Sequence, residues 1–77
     1  VSGANKDVGG GTWTYGTELV KDGKRCYSQY FHGSKGHAAR AKIANGSDYD
    51  HANAGVTAKA SSTAGAAYTC YTYWSKD

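Results

Sequence analysis

The stretch Cys26-Tyr-Ser-Gln-Tyr-Phe-His-Gly-Ser-Lys-Gly-His-Ala-Ala-Arg-Ala-Lys-Ile-Ala-Asn-Gly46 decides the fold. It reads as two strands joined by a short turn. Successive side chains on a strand point to opposite faces, so Cys26, Ser28 and Tyr30 share one face and Tyr27, Gln29 and Phe31 the other. His32 to Gly36 form the turn, with Gly33 and Gly36 free to take unusual backbone angles. Beyond it Ala39, Ala41 and Ile43 alternate with Arg40 and Lys42, the pattern of a half-buried strand with a cationic outer face. Asn45-Gly46 closes that strand.

Upstream, Thr12 to Thr17 alternates threonine with Trp13 and Tyr15 and is a strand. Residues 18–20 extend it into a hairpin turn at Lys21-Asp22-Gly23-Lys24, where Asp-Gly tolerates positive φ. Residues 1–10 hold Gly3, Gly9 and Gly10 without periodicity. They are expected to form a flexible arm, ordered only by adding to a sheet edge, ahead of a single domain over 11–77. Downstream, residues 47–55 read as a polar loop and 56–60 as a strand that Ser61-Ser62-Thr63 interrupts. Ala66 to Trp74 is the last strand, with Tyr71 and Tyr73 opposite Cys70, Thr72 and Trp74. Short strands at turn-separated spacing, without a helix, predict an all-β fold of about five to six strands, either a sandwich or a small barrel.

The chain has 77 residues, with one Leu, one Ile, one Phe, no Met, seven Tyr and two Trp. Domains of this size bury only about 60 % of their unfolded surface, so a plain apolar core leaves a thin margin. Most of the tyrosines are therefore expected in the core, with one or two exposed. Cys26 and Cys70 supply a staple if they pair, two reduced buried thiols being the alternative. The loop so closed is worth ~4 kcal/mol from its lost closure entropy. Pairing requires the strand of Cys26 and the last strand to be neighbours, or to face each other across the core. The net charge of +3 is mildly basic and scattered, which argues against a nucleic-acid partner. No apolar run is long enough to cross a bilayer, so stable membrane insertion is not expected.

Beyond these patterns, the chain resembles the lactococcin 972 family of bacteriocins. The similarity is carried by Gly11-Thr12-Trp13 with Tyr15-Gly16. It continues through Tyr27-Ser28-x-Tyr30-x-His32-Gly33-Ser34-Lys35-x-His37-x-Ala39, then Ala58-Lys59-Ala60 and Tyr71-Thr72-Tyr73-Trp74. It spans about residues 11–74. Cys26, Cys70 and residues 1–10 are additions to the family's pattern. The resemblance implies a bacteriocin folded as a small antiparallel β-sandwich of two sheets, secreted with its signal peptide already removed. It also implies that the cell-wall precursor lipid II is bound and septum synthesis blocked without pores. It brings no set of binding residues.

The candidate ligand-binding residues come from the chemistry of the central hairpin: His32, Lys35, His37, Arg40 and Lys42. Cations beside backbone N–H groups around Gly33 and Gly36 suit a pyrophosphate, which lipid II carries. Equally, the two histidines shape the turn and pack beside Tyr30, and Arg40 and Lys42 are a solvated strand face. His51 and the scattered aspartates give no recognisable zinc spacing, and Ser34 lacks a nucleophile context, so neither metal, cofactor nor catalysis is expected. Tyr27 with Phe31, or Tyr71 and Tyr73 with Trp74, offer a platform for sugar rings. The expected partner is lipid II or another component of the target cell envelope. The alternative is a secreted carbohydrate- or cell-wall-binding module without killing activity.

Overall fold

The computed structural model describes residues 2–77. Seven strands form two antiparallel sheets: β1 (Ser2–Val8), β2 (Gly11–Val20), β3 (Gly23–Phe31), β4 (His37–Ile43), β5 (Gly46–Ala52), β6 (Thr57–Ala64) and β7 (Cys70–Lys76). The four-stranded sheet runs β1-β2-β3-β6 and the three-stranded sheet β5-β4-β7. The all-β fold read from the alternation and the two-sheet sandwich implied by the resemblance are both present, with seven strands where five to six were expected.

Segment 47–55 is the main correction. Its first part is β5, paired with β4 from Ile43↔Gly46 to His37↔Ala52. The strand is polar because its apolar burial is replaced by hydrogen bonds across the sandwich. The Lys59 backbone N–H donates to Asp50 Oδ2 at 2.8 Å and the Ser61 N–H to Asp48 Oδ2 at 3.0 Å. The two carboxylates thus occupy amides on the edge of β6 that would otherwise invite another strand. The serine run 61–63 likewise does not break β6, which pairs with β3 from Phe31↔Thr57 to Lys24↔Ala64.

Residues 2–8 lie along β2 as an edge strand, the one arrangement that gives this segment order. Gly9 and Gly10 join the two strands with φ of 60° and 84°. Positive φ at both positions of a two-residue loop defines the type I′ hairpin, which glycine reaches without steric cost. The turn is tied down from below. Tyr30 Oη donates to the Val8 carbonyl at 2.7 Å and Lys76 Nζ to that of Gly9 at 3.0 Å. A side chain at Gly9 would collide with the Trp74 ring.

The core is thin. Tyr30, Ile43, His37, Cys26 and Ser28 are its largest fully buried side chains, packed with Ala39, Ala41, Ala58 and Ala60. Of the seven tyrosines only Tyr30 is buried; Tyr49, Tyr68, Tyr71 and Tyr73 are exposed, which reverses the expected assignment. The reason is room: facing layers of alanine leave no space for six more phenol rings. Cys26 on β3 and Cys70 on β7 form the disulfide across the two sheets, with Cα atoms 5.4 Å apart. Beside it, Trp13 Nε1 donates to Ser28 Oγ at 2.9 Å, and Ser28 Oγ donates to the Tyr73 carbonyl at 3.0 Å. Covalent and polar cross-links therefore hold the sheets where apolar mass is scarce.

Candidate functional site

The five candidate residues of the central hairpin fall into three places. His32 and His37 are buried, the latter completely. His32 Nδ1 accepts the backbone N–H groups of Ser34 at 3.2 Å and Lys35 at 3.1 Å, which folds the turn over its own ring. His37 lies between two carbonyl oxygens, Lys35 O at 2.8 Å from Nδ1 and Val56 O at 2.6 Å from Nε2. A neutral imidazole donates to only one of these; the imidazolium donates to both. The two rings stand 6.3 Å apart and flank Tyr30, at 6.4 Å for His32 and 5.6 Å for His37. His32 Nδ1 and both nitrogens of His37 are engaged with backbone, so the two rings shape the loop between β3 and β4. Lys35 is exposed within that loop.

Arg40 and Lys42 stand elsewhere, on the outward face of β4. Because β4 is the central strand of its sheet, the register places a partner on either side of each outward residue. Arg40 lies between Tyr49 of β5 and Tyr73 of β7, and Lys42 between Ser47 and Tyr71. Ala38 completes the grid between His51 and Ser75. Tyr49, Tyr71 and Tyr73 are 53 %, 52 % and 49 % exposed, an unusual concentration of aromatic surface for one sheet face. The Arg40 guanidinium lies over the Tyr49 ring, 5.0 Å from its centroid. None of the grid positions is acidic. The nearest carboxylate in the grid's hydrogen bonding is Asp77, which pairs with His51 Nε2 at 3.0 Å at one end of the face. Among the described residues neither Arg40 nor Lys42 takes part in an ion pair.

A hollow of about 250 Å³ opens on this face, lined by Ala38, Arg40, Tyr49, Tyr73 and Ser75 among others. A slightly larger one, about 300 Å³, lies between β1–β2 and β7, against Ala4, Tyr15, Thr17, Cys70 and Thr72. It carries no charged side chain, so its chemistry is that of an opening left where the three-stranded sheet ends. The cationic and aromatic groups converge on the first hollow.

The sequence pointed to Arg40 and Lys42 through their alternation, and to Tyr71 and Tyr73 with Trp74 as a sugar platform; Trp74 lies on the opposite face of β7 and packs against the core, its ring 4.9 Å from that of Tyr30. It missed Tyr49, which sat in the assumed loop, and Ala38, whose value is its small size.

The chain is thus a small all-β domain, stapled by a disulfide and presenting one cationic–aromatic sheet face. The family model described as Bacteriocin (Lactococcin_972) matches residues 9–74, nearly the whole chain, and the protein belongs to that bacteriocin family. No curated protein and no solved structure matches it.

Proposed function

We propose that this bacteriocin acts outside the producing cell by binding lipid II on closely related bacteria, blocking septum and peptidoglycan synthesis without pores and without catalysis. The observation that carries this reading is the outward face of β4. Arg40 and Lys42, free of acidic partners on their own face, are flanked by Tyr49, Tyr71 and Tyr73. Lipid II joins a pyrophosphate to amino sugars. Guanidinium and ammonium groups suit the first, and aromatic rings, apolar in face and polar at the tip, suit the second. No helix among the described residues is long and apolar enough to cross a membrane.

The test is co-sedimentation with phospholipid vesicles that do or do not contain lipid II, alongside growth inhibition of related strains. Binding that depends on lipid II, weakened in an Arg40→Ala, Lys42→Ala double variant, is the expected result. Equal binding to plain vesicles removes the target. Binding to polymeric cell wall with no effect on growth identifies a wall-binding module instead.

A further inference from the structure

We infer that the hollow floored by Ala38 is a subsite for one sugar ring bearing an anionic phosphate, with Arg40 holding the anion and Tyr73 the ring. This deepens the proposed lipid II reading and rests on it for its biological ligand, but the chemistry stands on the site itself.

Three features define the site. The first is the floor. Ala38 sits at an outward position of the sheet, is only 1 % exposed and is among the residues that line the hollow. A methyl group at this point leaves a depression, and its volume of about 250 Å³ is below the ~300–1,000 Å³ of pockets for drug-sized ligands. A single ring fits such a space; an oligosaccharide runs out of it. The second is the pair of walls. Tyr49 and Tyr73 are held on either side of Arg40 by strand register and not by a loop, so their spacing is fixed before a ligand arrives. Arg40 already covers a face of Tyr49, so Tyr73 is the ring left for the C–H face of a sugar. The Ser75 hydroxyl and the phenol hydroxyls serve as partners for the sugar's own hydroxyls.

The third is charge. Arg40 presents a planar fork that matches two oxygens of a phosphate, a geometry lysine lacks. Lys42, two residues along the same face, adds a second cation on the side away from Asp77. The cationic part of the grid therefore extends from the hollow toward Lys42 and Tyr71. A sugar in the hollow directs its phosphate that way, because Asp77 and His51 stand at the opposite end.

The experiment is an NMR titration of the isotope-labelled full chain with N-acetylglucosamine 1-phosphate, N-acetylglucosamine and inorganic phosphate as separate probes. The sugar phosphate is expected to bind at least ~10-fold more tightly than either fragment, since the charge-assisted bonds and the ring contact act together. Shifts are expected at Ala38, Arg40, Tyr49, Tyr73 and Ser75. Ala38→Leu fills the hollow and Arg40→Lys keeps the charge but loses the fork; each is expected to weaken binding by about ten-fold or more. Because Ala38 is packed, Tyr73→Ser, at an exposed position, provides the variant that leaves the fold undisturbed. Sugar phosphate binding no better than inorganic phosphate overturns the subsite, as do shifts confined to other surfaces. Sugar phosphate bound at these residues without any lipid II binding overturns the lipid reading and leaves the subsite standing. Lipid II binding indifferent to Ala38→Leu, Arg40→Lys and Tyr73→Ser does the reverse.

Discussion

Replacing Ser28 by alanine tests how this thin sandwich is held together. The hydroxyl is fully buried, accepts the Trp13 indole N–H at 2.9 Å and donates to the Tyr73 carbonyl at 3.0 Å. Alanine removes one oxygen, so the cavity term is small and the polar term decides. Two hydrogen bonds at about 1 kcal/mol each, with an indole N–H and a carbonyl left partly stranded, give a loss of about 2–3 kcal/mol. A chain of this length holds roughly 4–12 kcal/mol in total, so the loss is a large share. Urea unfolding followed by tryptophan fluorescence is the assay, with the midpoint falling by about 2–3 M at a slope near ~1 kcal/mol per M. Thermal unfolding shifts correspondingly by roughly 10–20 °C. Trp13→Phe removes the donor together with part of the ring, and combining it with Ser28→Ala, which cancels the packing loss in the cycle, is expected to cost less than the sum by about 1 kcal/mol. A Ser28→Ala loss below ~0.5 kcal/mol, or strict additivity of the pair, refutes the reasoning that this hydroxyl is a polar cross-link between sheets.

Three further outcomes are expected. Reducing Cys26–Cys70, or replacing both cysteines by alanine, restores the loop entropy of the unfolded chain and lowers stability by ~4 kcal/mol, seen as a marked drop in melting temperature. Ala44 occupies the two-residue turn between β4 and β5 at φ 54°, a left-handed angle that penalises a Cβ; Ala44→Gly should raise stability by about 0.5–1 kcal/mol in the same urea assay. Burial pushes the Tyr30 phenol above its ordinary value, opposed in part by the Gly11 backbone. The fold thus favours the neutral phenol: its contribution is complete below about pH 10 and is lost as pH rises through the higher folded value. The stability advantage of the native protein over Tyr30→Phe should therefore shrink between about pH 8 and pH 11.5; an advantage constant across that range contradicts it.

What was legible in the sequence follows from which interactions are local. The alternation of Ala39, Ala41 and Ile43 with Arg40 and Lys42 reports a strand's two environments directly, and it located half of the candidate face. The two cysteines were legible because so short and aliphatic-poor a chain needs a covalent link. Strand β5 was not, since Asp48 and Asp50 are satisfied by amides of β6 that lie more than one turn away in the chain. His37 is similar: one of its two acceptors is the Val56 carbonyl, 19 residues distant, and nothing near His37 announces it. Gly9-Gly10 carries two readings at once, a hinge and a turn. Two adjacent glycines after Val8, ahead of the Thr12–Tyr15 alternation, are as good a type I′ hairpin signature as they are a hinge.

The tyrosines show how fold and site depend on each other. A core built on alanine accepts one phenol, Tyr30, and turns the rest outward or to the margins. A sandwich that lacked other cross-links would need those rings inside. Here the disulfide, the Ser28 bridge and the Asp48 and Asp50 clasp hold the sheets, and none of them passes through Tyr49, Tyr71, Tyr73, Arg40 or Lys42 side chains. Stability and the proposed recognition therefore fall to different residues, on opposite faces of the same strands. Substituting the exposed face should leave the melting temperature within a few degrees while changing binding, since surface substitutions of this kind usually shift stability by less than ~0.5 kcal/mol. Cutting a cross-link should lower the melting temperature first and binding only as the β5-β4-β7 register loosens. If face variants melted early, the rings would have to be supporting the fold, and the separation of roles would not hold.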